Sequence, residues 1–376
     1  MTFDDRQTRL QDIIDEPLNT WLDQAVADGN VPIGYTCSYV PRALLSLDGL
    51  IPVRVRAPGA AGTEIAEIYL SNVTCSYSRS LLEFAMDDRY DFLGGWVFAA
   101  GCDHIRRLLD NLDYLISPDF SHMIDAPHRK GDAALDWYIK ELDILLEKLA
   151  DHFGIDTGEE ALNAAVINQN RLHRSLKEIA DLRKQKQPPI SGTEFQRIMM
   201  ASLTVPAGDM EKALREIKDS VDRRKKQTDF RARLMVVGGN IDDTDFIHTI
   251  ESTGGLVVAD RFCTGSLPGL VMLDESNDPL TEIAQKTLLE TSCPRMMEDF
   301  QDRLGSIIDT AREYDVDGVI VEHIKFCDIW GIETGLLVDG LREAGLPALR
   351  LERDYRQTGE GQLRTRIQAF LERMNK

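Results

Sequence analysis

The chain has 376 residues, 43% hydrophobic and 28% charged, with a formal net charge of −20. That length suits two or three domains, each large enough to bury its own core. The acidic balance argues against a nucleic-acid surface, which needs a basic face, and against an anionic membrane partner.

Leu10, Ile13, Ile14, Leu18, Trp21 and Leu22 recur near helical spacing, so residues 1–30 read as helical. Val31–Tyr35 is a β-like stretch that ends at Cys37. Val40–Leu45 starts a helix, with Pro41 suited to its first turn. Ile51–Val55 is a strand rich in β-branched residues. Ser80–Met86 continues a helix out of the Cys75 loop, and Asp91–Ala100 reads as a buried strand that delivers Cys102. Asp103 is placed to cap the helix that follows. Residues 134–187 read as helical, with Leu162, Val166, Leu172, Leu176, Ile179 and Leu182 on one stripe, until Pro188-Pro189 stops the run. A second helical pair leads through Glu211–Gln227, where the basic run Arg223–Lys226 reads as a solvated helix end.

From Arg233 alternation resumes. Leu234–Val237 is a strand, Gly238-Gly239-Asn240 a turn, and Asp242-Asp243-Thr244 opens a helix that Gly254-Gly255 closes. Strands follow at Leu256–Asp260, Asp317–Val321 and Pro347–Glu352, with helices at Gly335–Ala344 and Leu363–Arg373. Alternating strands and helices specify an α/β protein with parallel sheets. The expected division is an N-terminal α/β domain with a helical start at 1–155, a helical segment at 156–230 and a C-terminal α/β domain at 231–376.

The six cysteines, Cys37, Cys75, Cys102, Cys263, Cys293 and Cys327, each adjoin a Gly, Pro, Ser, Thr or Asp. Most stand where a β-type run ends, the place where α/β proteins put their chemistry. The segment MTFDDRQTRLQDIIDE lacks the basic start and apolar core of a signal peptide. No run approaches the roughly eighteen apolar residues of a membrane span. A cytoplasmic location is therefore expected, where thiols stay reduced and speak for metal or catalysis over disulfides. No pair has zinc-ribbon spacing, and histidine ligand spacing is missing. Thiolates are soft ligands suited to iron–sulfur clusters, zinc or copper(I). Cys75, Cys102 and Cys327 form the best trio, two from the N-terminal half and one from the C-terminal half; the bland alternative is that several cysteines fill loop niches. Gly238-Gly239 lacks G-x-G-x-x-G spacing, and G-x-x-x-x-G-K-[ST] is absent, so ATP hydrolysis by this chain is not expected.

Several stretches together carry a resemblance. They are GYTCSYVPRALL with GLIPVRV, YLSNVTCSYSRSLLEFAM, FLGGWVFAAGCDHIRRLLD, VVADRFCTGS, DGVIVEHIKFCDIWGIE and the tail LERDYRQTGEGQLRTRIQAF. Along nearly its whole length the chain resembles the benzoyl-CoA reductase/2-hydroxyacyl-CoA dehydratase family of iron–sulfur subunits. The resemblance implies two flavodoxin-like parallel-sheet domains with a helical insertion between them. It implies a 4Fe–4S cluster held by Cys75, Cys102 and Cys327 at their interface. It implies a second related subunit or a copy of the chain itself, and a separate ATP-hydrolysing iron–sulfur activator. The implied activity is ATP-activated reduction of an aromatic acyl-CoA or radical dehydration of a 2-hydroxyacyl-CoA.

A related branch holds a double-cubane 8Fe–9S cluster on six cysteines and reduces small molecules; there Cys37, Cys263 and Cys293 would hold the second cubane. A third alternative is an electron-relay subunit with no substrate site of its own. Ser38, with Thr36, is expected to approach the open iron as the catalytic hydroxyl. Arg79 and Arg106 are candidates to offset cluster charge. Arg42 departs from the acidic residue that many relatives carry after this proline.

Overall fold

The computed structural model describes residues 2–221, 223–266, 269–355 and 359–374; Arg356, Gln357 and Thr358 of the tail motif lie outside the described residues. Two helices lead in. α1 (Phe3–Ile14) opens with a capping box in which Thr2 and Asp5 satisfy each other's backbone N–H. α2 (Thr20–Ala27) is capped by the Asn19 side chain. β1 (Val31–Tyr35) follows at its expected place. The helix expected after Pro41 is instead a four-residue 3₁₀ turn, Arg42–Leu45, with Pro41 at its N-cap. Ala43, Leu44 and Leu45 are all buried, and three consecutive buried positions do not fit the single apolar stripe of a surface α-helix.

The first sheet is completed by β2 (Leu50–Arg54), α3 (Ser76–Met86), β3 (Gly95–Ala99), α4 (Asp103–Leu115) and β4 (Ser121–Ile124). Its strand order is β2-β1-β3-β4, all parallel. β4 has no counterpart in the sequence reading. It is a four-residue edge strand whose burial alternates, and Ser-His-Met-Ile gives no apolar run to mark it.

Four helices separate the sheets: α5 (Asp132–Phe153), α6 (Glu159–Asp181), α7 (Gly192–Ser202) and α8 (Ala207–Val221). The helical run expected over 134–187 is broken at Gly154, whose φ of +68° ends α5 in the left-handed conformation that glycine adopts without strain. The stripe from Leu162 to Ile179 is buried as expected.

The second sheet comes from β5 (Ala232–Val237), α9 (Thr244–Ser252), β6 (Gly255–Arg261), α10 (Pro279–Glu290), α11 (Phe300–Glu313), β7 (Gly318–Ile324), α12 (Asp328–Glu343) and β8 (Ala348–Arg353). α13 (Glu360–Met374) closes the described chain. The order is β6-β5-β7-β8, again parallel. Both sheets thus reverse strand order at their centre, between β1 and β3 and between β5 and β7. In open α/β sheets that reversal leaves a crevice at the carboxyl ends of the strands.

The halves are packed together. One core cluster joins Phe84, Trp96 and Phe98 of the first half to Ile324 and Tyr355 of the second. Tyr355 donates its hydroxyl to Asp242, accepts from the Ala57 N–H, and gives its own N–H to Ser76. α10 packs on α5 and α6. Among the described residues no helix is long and apolar enough to cross a membrane.

Two buried histidines set an acid limit. Burial, with Lys148 beside His122, depresses His122 to about 4, and burial, with Arg42 nearby, depresses His173 to about 4. Unfolded, both titrate near 6.5. Between pH 6.5 and 4 the unfolded chain therefore binds more protons than the folded one, and stability falls as pH drops through that window. Urea unfolding of the metal-free chain is expected to lose a few kcal/mol between pH 7 and pH 4, and the double variant His122→Gln, His173→Gln to flatten that dependence.

Candidate functional site

Four of the six thiols follow carboxyl ends of strands: Cys37 after β1, Cys102 after β3, Cys263 after β6 and Cys327 after β7. Cys75 precedes α3, and Cys293 lies between α10 and α11. None is in a disulfide. Cys75 is buried and the others are partly exposed, yet protein surrounds them closely enough to disfavour charge. Burial pushes Cys75 up to about 12 and Cys102 and Cys263 up to about 11. It moves Cys293 and Cys327 upward as well. Cys75 belongs to the core cluster that holds Phe84, Trp96 and Tyr355, and Cys102 and Cys327 pack against that cluster.

The thiols also act on one another. Cys102 raises Cys75, and Cys75 and Cys102 both raise Cys327. Cys37 raises Cys263, and Cys263 and Cys37 both raise Cys293. Influence also crosses between the two sets: Cys37 acts on Cys102 and Cys293 on Cys327. A side chain on Gly101 would stand 3.5 Å from the Cys37 sulfur, so that thiol adjoins the turn leading to Cys102.

Cys75, Cys102 and Cys327 occupy the N-cap positions of α3, α4 and α12. The expected cap of α4, Asp103, is instead its first helical residue. Cys102 takes the cap because its backbone is extended, with φ −158° and ψ 167°. Backbone N–H groups of Tyr77 and Ser78 favour the Cys75 thiolate, those of Ile105 and His104 the Cys102 thiolate, and that of Trp330 the Cys327 thiolate. None closes a full cap hydrogen bond with the thiol. Three helix N-termini therefore direct partial positive charge at one trio.

His104 ties the three loops together. Its Nδ1 accepts the Cys75 N–H at 3.2 Å, and its Nε2 stands 3.7 Å from the carboxylate of Asp328, next to Cys327. Its place in the first turn of α4 puts it within reach of both other loops. Arg79 is buried on Thr74, Thr63 and Glu67, where it holds the loop before Cys75 and also lowers that thiol's pKa. Arg106 pairs with Asp125 at the surface. His323 bonds Glu352. Ser38 donates to the Cys263 carbonyl at 3.3 Å, which places it beside the second trio. The Thr36 hydroxyl is buried with no partner among the described residues.

Two further arginines escape sequence reasoning, since nothing local marks them. Arg295 is buried, donates to the Ala100 and Ala126 carbonyls, and leaves Nε and Nη1 unpartnered beside Cys293. Arg303 is fully buried, pairs with Glu333 and donates to the Cys293 carbonyl at 3.0 Å.

Among the described residues no three His, Cys, Asp or Glu side chains are gathered around a point as a single ion requires. Soft donors, helix N-termini and the spare positive charge of Arg295 all fit an anionic iron–sulfur group.

The family model described as 2-hydroxyglutaryl-CoA dehydratase, D-component, matches residues 37–374. The (R)-phenyllactyl-CoA dehydratase beta subunit of Clostridium sporogenes is 23% identical, with 96% of each chain covered. A putative dehydratase subunit of Escherichia coli, YjiM, is 25% identical over 90% of each chain. One of the benzoyl-CoA reductase subunits of Thauera aromatica is 23% identical, covering 84% of this chain and 83% of the relative.

His104→Ala removes the acceptor for the Cys75 N–H and is expected to cost about 1 kcal/mol of unfolding free energy in the metal-free chain. Asp328→Asn, on an exposed carboxylate, is expected to stay within about 0.5 kcal/mol. Urea titration of the two variants against the parent chain measures both.

Proposed function

The chain belongs to the 2-hydroxyglutaryl-CoA dehydratase D-component family, and on that premise we propose that it is the iron–sulfur subunit of an acyl-CoA-modifying dehydratase or reductase. Cys75, Cys102 and Cys327 are the residues we assign to a 4Fe–4S cluster. The observation that carries the reading is this thiol trio, drawn from both sheets onto three helix N-termini. A cluster held there supplies single electrons at a potential set by its burial and by hydrogen bonds to its sulfurs.

The chain's own residues do the rest. The N–H groups of Tyr77, Ser78, His104, Ile105 and Trp330 stabilise negative charge on the ligand sulfurs. His104 fixes the Cys75 backbone relative to α4 and Asp328. Tyr355 holds the Ser76 end of α3 against the second sheet. We assign Ser38, with Thr36, to hydroxyl contacts with substrate. Relatives whose names mark them as subunits of acyl-CoA dehydratases and of a benzoyl-CoA reductase support a partner subunit, related or identical, and an acyl-CoA substrate. An ATP-hydrolysing iron–sulfur activator completes the proposed system. We read the two sheets as flavodoxin-like, each one strand short of the five-stranded order, and retain the division at 1–155, 156–230 and 231–376.

A second reading has its own support. The remaining thiols, Cys37, Cys263 and Cys293, also act on one another, and the Cys37 sulfur adjoins Gly101 in the turn before Cys102. That grouping favours a double cubane on all six thiols, and with it reduction of small molecules.

Anaerobic purification followed by iron and sulfide analysis separates the readings. A single cubane gives about four of each per chain; a double cubane gives about eight iron and nine sulfide. Cys327→Ser is expected to lower iron content in either case. Cys263→Ser is expected to lower it only for the double cubane. Full iron retention in Cys327→Ser would contradict both.

A further inference from the structure

A cavity of about 90 Å³ lies beside the second thiol trio, lined by Ser38, Cys263, Tyr35, Arg54, Arg42 and Lys286 among others. It holds roughly three water molecules at about 30 Å³ each. A wider cavity of about 340 Å³, lined by Trp21, Asp28 and Asp48, shares Arg42, Gln169 and His173 with it. Those three side chains are common to the two cavities.

The smaller cavity has an unusual charge. The chain as a whole carries −20. Yet among the described residues the lining has three cationic side chains, Arg54, Arg42 and Lys286, and no Asp or Glu. Arg42 is spent on the Ser202 carbonyl and Lys286 on Glu290. Arg54 is different. It is 4% exposed, its ring contact is the face of Tyr35, and its Nε is enclosed without a partner. Its guanidinium has no ion pair among the described residues. The titratable groups that face it are the Tyr77 and Tyr35 phenols and the Cys263 and Cys37 thiols, none of them a carboxylate.

A buried guanidinium cannot shed its proton, so it needs an anion or a full set of acceptors. Arg303 has Glu333 and Arg353 has Glu322. Arg54 has a cavity. We propose that this cavity binds a compact monoanion of roughly three or four heavy atoms, carboxylate or inorganic, held by the Arg54 guanidinium. The Ser38 hydroxyl and the Cys263 loop form its far wall. An acyl-CoA tail exceeds the volume, so the ligand is a separate small molecule. The binding site stands on the cavity alone. Its role as a substrate subsite rests on the small-molecule reading of the function.

The test uses formate as probe and formamide as its uncharged match in size. Saturation-transfer NMR titrations are run on the full chain, metal-free and iron-loaded, for the parent, Arg54→Gln, Arg54→Lys and Thr287→Leu. Thr287→Leu fills the cavity and keeps the charge. The parent is expected to bind formate saturably in preference to formamide. Arg54→Gln is expected to bind it at least about tenfold more weakly, with Arg54→Lys between the two. If Arg54→Gln fails to fold, Thr287→Leu carries the comparison, with the same loss expected. No saturable formate binding, equal binding of formate and formamide, or unchanged affinity in the folded variants overturns the site. Iron is counted on the same samples. Absent iron with intact formate binding would remove the cluster and leave this site; full iron without formate binding would remove only this site.

Discussion

Gathering ionisable thiols in desolvated surroundings is unfavourable, because each thiolate repels the others and burial opposes them all. This chain does so with six, and burial lifts at least five of them. A core built for stability alone would separate these groups or replace them with apolar side chains of similar size. The arrangement gains a physical rationale once an inorganic core takes the thiolates as ligands, since coordination deprotonates a thiol outright. The helix N-termini of α3, α4 and α12 and the spare guanidinium atoms of Arg295 then face negative charge.

The fold makes that gathering possible by repetition. Each sheet reverses strand order at its centre, and cysteines follow strands of both, Cys37 and Cys102 in the first and Cys263 and Cys327 in the second. Apolar clusters join the halves, and polar contacts fix how they meet. Tyr355 spans Ala57, Ser76 and Asp242; Arg295 reaches back to Ala100 and Ala126; Ser38 reaches the Cys263 carbonyl. Gly238 and Gly239 belong to the same design. A side chain on Gly238 would meet Glu322 at 2.7 Å, and one on Gly239 would meet the Trp330 indole at 2.9 Å. Their turn is narrow because β7 and α12, which carry Cys327 between them, press against it.

Much of this was legible from residue order, and the parts that were not share a cause. β1, β5 and β7 are runs of β-branched and apolar residues that end in polar turns, and local pattern suffices for them. The cysteines that follow β1, β3, β6 and β7 mark the crevices without any knowledge of packing. β4 was invisible because an edge strand buries only alternate side chains and needs no apolar run. Asp103 lost the cap of α4 to Cys102 because the extended backbone at Cys102, not the residue's usual preference, decides the cap. The long-range contacts of His104, Arg54 and Arg295 could not be read from local pattern. Their meaning lies in which distant loop they meet, and a lone basic residue in a strand or loop carries no periodicity to announce that.

The central claim is that thiols from both sheets surround one iron core. Crystals grown anaerobically, with diffraction collected on both sides of the iron absorption edge, test it most directly. The account predicts an anomalous iron peak bounded by the sulfurs of Cys75, Cys102 and Cys327. An iron-replete preparation whose anomalous density lies elsewhere, with those three sulfurs unligated, would contradict it.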